Sequence, residues 1–207
     1  MKKDYSLFCD YQVGKPPEKM NKVVTYVMGG DGVVEIRQNE IGVFAVKTDK
    51  IVGLDPVKEG FQMKLPKVSM DTLFQIIEFF KTVNSKFNSE AMIQIYWDKE
   101  NKRYFCSAPE QEVSGASVDF TRNIELDKQY LLVMDIHSHN TMGAFFSGTD
   151  VNDEKETRLF GVIGKITDTF PEMKFKAITG GKGTDLQLHE IFDAKKDFPT
   201  EWLNKVK

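Results

Sequence analysis

The chain has 207 residues, of which 41% are apolar and 12% aromatic, enough to bury a core in one domain with an embellishment or in two small ones. Its 28 basic and 31 acidic residues are interspersed and leave a formal charge of −3, which excludes the concentrated basic surface of a nucleic-acid partner. No window approaches the roughly 18 apolar residues of a membrane span, the N-terminal residues are too polar for a signal segment, and Cys9 and Cys106 alone make no disulfide framework; a cytoplasmic protein with reduced, partly buried thiols is expected.

The first 66 residues read as a β-rich region. Strands are expected over 22–28, 33–37 and 41–47, where β-branched residues dominate. The first of these stops at the turn signal Gly29-Gly30-Asp31-Gly32, and Asp55-Pro56 marks a later turn. Nothing in this region has catalytic spacing, and it reads as a small sheet packed on, or guiding substrate to, the domain expected over 67–207.

After Pro66, Ser69 is placed to cap a helix over 70–87, with Asp71 in its first turn. Leu73, Ile76, Ile77, Phe80, Val83 and Phe87 recur at helical spacing, and Phe74 and Phe79 widen the apolar surface, so burial on more than one side is expected. Asn88-Ser89 closes the helix. A strand over 91–97, opened by Glu90, and one over 103–107 form a hairpin; 117–120 is a further short strand. Residues 130–136 are almost continuously apolar, as in a strand covered on both faces, and this strand delivers His137 and His139 at its end. Residues 150–158 suit a loop or short helix, and strands are expected over 159–166, 174–178 and 185–191, the last two joined at Gly180-Gly181-Lys182-Gly183. That glycine turn lacks phosphate-loop spacing and reads as a hairpin. The fold class expected is α/β, with a mixed central sheet flanked by helices, carrying a β-rich N-terminal extension.

The chemistry concentrates in His137-Ser138-His139 and Ser147-Gly148-Thr149-Asp150, which together read H-x-H-x7-S-x-x-D. Two histidines at i and i+2 on a strand project from one face. With the Asp150 carboxylate they make three ligands for zinc and leave the fourth position to water, the arrangement of a catalytic site. Ser147 is placed to donate to an oxyanion or to cap the segment that follows. Asp135 shares strand parity with the two histidines and is either a carboxylate orienting an imidazole or a plain polar residue near the strand end. Phe145 and Phe146 either wall a groove or pack under the loop. Asp153 is an alternative ligand within a solvated acidic run, His189 is structural or at the surface, and Trp97 and Trp202 are packing residues.

This pattern resembles the JAMM motif of the JAB/MPN metalloprotease family, as do the preceding apolar strand and Gly161-Val162-Ile163-Gly164. The resemblance covers roughly residues 67–207 and is closest to the bacterial PRTRC-type branch, on the run Ala144-Phe145-Phe146-Ser147-Gly148-Thr149-Asp150. In that family a Glu at the start of a strand after the first long helix is the general base. The resemblance therefore gives this role to Glu90, 47 residues before His137, in preference to Glu78 inside the helix or Glu110 and Glu112 in a loop. It further implies a zinc peptidase or isopeptidase acting on a ubiquitin-like protein or its conjugates, with a ubiquitin-activating-enzyme-like protein as a further partner. Two departures stand out. Asn140 replaces the Pro that many eukaryotic members have after the second His, and the long ubiquitin-gripping insertion after Asp150 is absent. The alternatives are a non-catalytic MPN-type scaffold, a structural zinc site completed by Cys106 or His189, and a deaminase-type hydrolase, which lacks its P-C-x-x-C element.

Overall fold

The computed structural model describes residues 8–113, 118–146, 156–194 and 199–206. Ser147, Asp150 and Asp153 lie outside these. The chain divides into two compact units, Met1–Lys58 and Glu59–Lys207.

The first unit is a four-stranded sheet of β1 (Cys9–Val13), β2 (Val24–Gly29), β3 (Gly32–Gln38) and β4 (Val43–Lys47), in that order. The β2–β3 hairpin turns where the glycine-rich signal predicts, with Gly32 at φ 127°. Strand β1, absent from the sequence reading, pairs in parallel with β2 and stacks Tyr11 on Tyr26. The buried Tyr26 hydroxyl donates to Glu35 at 3.0 Å and accepts from the Val52 amide, tying the following loop to the sheet.

The second unit is a mixed α/β fold. Helix α1 (Met70–Phe87) starts where the Ser69 hydroxyl accepts from Thr72 N and ends where Asn88 turns left-handed at φ 48°. Strands β5 (Met92–Asp98), β6 (Arg103–Ser107), β9 (Leu131–Ser138), β10 (Arg158–Gly164), β11 (Glu172–Thr179) and β12 (Lys182–Leu186) form one sheet in the order β12-β11-β10-β9-β5-β6. A small hairpin, β7 (Glu110–Val113) with β8 (Val118–Thr121), and helix α2 (Ile124–Gln129) lie between β6 and β9. Within this sheet, among the described residues, only β9 and β10 pair in parallel, and that pairing needs a long crossover between them. The Ser147-to-Asp150 half of the pattern falls within this crossover.

The central sheet has two unlike faces. Ile93 and Ile95 of β5, Met134 and Ile136 of β9, and Leu159 and Ile163 of β10 pack with Leu73, Ile76, Ile77 and Phe80 of α1 as the core. Each fully buried side chain of this size contributes about 2 kcal/mol. Alternate residues on the same strands, Gln94, Tyr96, Asp135, His137 and Arg158, face the other way, because strand side chains alternate. Between Ile95 and Tyr96 the register shifts and leaves Val133 as an unpaired extra residue, a β-bulge.

Four details differ from the sequence reading. Residues Leu188–Ile191 form a short helix, α3, instead of continuing the last strand, because Val68 bridges to Phe192 and draws the chain back onto α1. Phe74 and Phe87 stay exposed, since α1 covers the sheet with one face only. Glu110, read as a loop residue, starts β7. Cys106 is exposed on edge strand β6, whereas Cys9 is buried.

Candidate metal and catalytic site

His137 ends the apolar run of β9, and His139 lies one residue past the strand. The His139 amide donates to Ile163 O, which prolongs the β9–β10 pairing and keeps both rings on one face. The two Nε2 atoms are 3.1 Å apart. Two nitrogens each about 2.0–2.1 Å from a tetrahedral metal would stand roughly 3.3 Å apart, so the pair is already at ligand spacing. On the far side of its ring, His139 Nδ1 lies 3.3 Å from the Gly143 carbonyl. A bond there puts the proton on Nδ1 and leaves the Nε2 lone pair free for a metal. These donors therefore fit a borderline-soft divalent cation such as zinc.

What holds the His139 side chain is the turn that follows. Asn140 adopts φ 45°, its side chain accepts from Asn84 Nδ2 at the end of α1, and its carbonyl accepts from Ile166 N. A proline, fixed near −65°, cannot take that conformation, which accounts for Asn at this position. The turn closes through Met142 N to His139 O and lies directly on the end of β10. There Gly164 is obligatory: a Cβ would stand 2.4 Å from backbone atoms of Met142, Gly143 and Ala144. Glu172 accepts from Ala144 N and pairs with Lys165, and these two hydrogen-bonding partners hold its carboxyl below the usual range. The Phe145 ring meets His139 edge-on at 4.5 Å, so it packs against a ligand candidate.

Glu90 lies two residues before β5 and is buried. Ala91 N donates to Ser138 Oγ and Ser138 N donates to Ala91 O, so the β5–β9 register continues past Met92↔His137. The next step places Glu90 opposite His139, on the histidine face, because residues opposite each other in antiparallel strands share a face. Gln111 of β7, which the sequence reading missed, supports this end of β5. Its side-chain amide accepts from Met92 N at 2.8 Å and donates to Met92 O at 3.2 Å, serving as a strand where β6 has already ended. No sequence spacing signals that role.

Asp135 is not oriented toward an imidazole. Its oxygens are taken by Gln94 Nε2 at 3.1 Å and Arg158 at 2.8 Å, and burial pushes its carboxyl upward against the opposing pull of Arg158. Arg158 also binds Glu156, which Arg122 holds from its other side; Arg122 in turn pairs with Asp127, and Asp127 and Gln94 both meet the Tyr96 hydroxyl. This closed ring of polar side chains braces the functional face next to the histidines.

Neither Cys106 nor His189 joins the histidine pair. Cys106 opposes Ile95, whose side chain is on the α1 face, and His189 lies in α3. Among the described residues no group of three or more His, Cys, Asp or Glu converges on one point. The third ligand expected from the sequence, Asp150, is outside those residues. Among them, too, no helix is long and apolar enough to cross a membrane.

A solution structure from Desulfitobacterium hafniense is similar at 12% identity over 57% of this chain and 88% of its own, with a TM-score of 0.43, too remote to bear on function. No curated protein matches. Residues 76–178, from within α1 to the end of β11, match the family described as prokaryotic homologs of the JAB domain. Both histidines, Glu90 and the crossover lie inside that span, and through it the chain belongs to the JAB-domain family.

Proposed function

We propose that this protein is a zinc-dependent peptidase or isopeptidase acting on the C-terminal tail of a ubiquitin-like protein in the cytoplasm. The observation that supports it most is the histidine pair, with Nε2 atoms 3.1 Å apart and one Nδ1 held by a backbone carbonyl. His137 and His139, with Asp150 from the crossover, would hold the metal. Bound zinc would bring the pKa of a coordinated water to about 7 and polarise the scissile carbonyl.

The chain's own groups carry the proton traffic. Glu90, buried beside His139, takes the proton of the attacking water and returns it to the leaving amine. Ser147 donates to the oxyanion of the tetrahedral intermediate. An extended tail is a suitable substrate because it can pair with a sheet edge. A ubiquitin-activating-enzyme-like protein is the accompanying partner that the family resemblance suggests.

The test is the metal content of tag-free protein beside Asp150→Ala, followed by a cleavage screen with ubiquitin-like fusions. Close to one zinc per chain, lost in the variant, is expected. No metal after reconstitution with zinc would overturn the reading in favour of a non-catalytic scaffold in a protein complex.

A further inference from the structure

The Glu59–Lys207 unit contains a cavity of about 770 Å³. It lies at the start of β9, whereas the histidines stand at that strand's end, six residues or about 20 Å away. Its lining runs across β9, β10, β11 and β12, three strand spacings or about 14 Å, so it is a slot and not a round pit. The floor is apolar and includes the buried Val133 and Leu159, with Ala177 opposite Leu159 on the same face of the sheet. Val133 is the bulged residue.

Residues 59–65 form the roof. Phe61, Met63 and Leu65 turn to the core while Gln62 and Lys64 stay exposed, the period of an extended segment. Among the described residues this segment makes no backbone hydrogen bond to a neighbour, so side-chain contacts alone hold it down. At the mouth are Lys64 and Lys182, both exposed, and neither is tied to a carboxylate among the described residues.

We propose that this slot binds a single-chain anionic amphiphile, such as a medium-chain fatty acid, with its alkyl chain on the floor and its head group at Lys64 and Lys182. The floor is the face of a paired sheet, whose backbone groups are already satisfied. A peptide laid there would bury amides with no partner, at a cost that an alkyl chain does not incur. The volume is within the range of about 300–1,000 Å³ of small-molecule sites. The two lysines outnumber Glu59, the one acidic residue of the lining, which favours a negative head.

The experiment is calorimetric titration of the full chain with dodecanoate, below its micelle-forming concentration, and with dodecanol. One dodecanoate site per chain is expected. Ala177→Trp, which fills the slot from its floor, should weaken both ligands by at least about tenfold. The exposed pair Lys64→Ala/Lys182→Ala should weaken dodecanoate alone, by about fivefold. If Ala177→Trp does not fold, Leu131→Trp at the half-exposed edge of the slot replaces it. Absence of a one-to-one site, or binding indifferent to the filled slot or to the lysine pair, overturns the proposal. Metal content is read separately, so this result and the peptidase reading stand or fall independently.

Discussion

Ala91 and Ser138 exchange two hydrogen bonds, one from each backbone amide, and this pairing sets the general-base candidate against the ligand candidates. It fixes where β5 begins relative to where β9 ends, and so sets Glu90 opposite His139 in the register.

Glu90→Gln should keep the bound metal and lose the chemistry. Removing a general base costs about 10²–10⁴-fold in rate. Metal analysis and a cleavage assay on the same preparation check this; an unchanged rate refutes the assignment to Glu90.

Gly164→Ala should act at a distance. The new Cβ meets backbone at 2.4 Å, so the turn from Met142 to Ala144 must move, and the Gly143 carbonyl moves away from His139 Nδ1. Zinc affinity is expected to fall about 10–100-fold, as for other losses of a ligand's supporting partner. A zinc titration monitored beside circular dichroism separates this from unfolding.

Asn140→Pro should abolish metal binding, because proline cannot reach φ 45°. Asn140→Gly keeps the backbone and loses the bond from Asn84, at about 1 kcal/mol. Equal behaviour of the two variants in a zinc titration would contradict this account of the turn.

Arg158→Met leaves Asp135 buried without its cation, and a loss of about 3–5 kcal/mol in urea unfolding is expected. Replacing both residues by apolar ones should cost less than the single change. Without Arg158, burial acts on Asp135 against only the weaker pull of Gln94 and Arg122, so its carboxyl should take up a proton at higher pH.

Glu156 supplies the pH dependence. Hydrogen bonding from Arg122 is the largest cause that lowers its pKa, so its contribution to stability is present above the ordinary carboxylate value and lost as pH falls through the lowered one. The gap in urea midpoint between wild type and Glu156→Gln should therefore be open at neutral pH and close below about pH 4. A gap that widens on acidification would reverse the assignment.

Helix α1 was legible because Leu73, Ile76, Ile77 and Phe80 repeat at its period and Ser69 and Asn88 carry the chemistry of its caps. Strand β9 was legible because both of its faces are covered. The β11–β12 hairpin was legible in Gly180 and Gly181, which take φ 57° and 75°. The Asp135–Arg158 ion pair was not, since it depends on the register of two parallel strands separated by a long crossover. Gln111 was not, since a side chain standing in for a strand leaves no periodicity. Strand β1 and helix α3 are short, and partners distant in sequence decide both: β2 for one, Val68 for the other.

Strand β9 serves two constraints with one alternation: Met134 and Ile136 belong to the core, Asp135 and His137 to the chemistry. One residue inserted or deleted within it would exchange the two sets, burying imidazole under α1 and turning isoleucine toward substrate. A change of length by one residue is therefore tolerated only outside this strand.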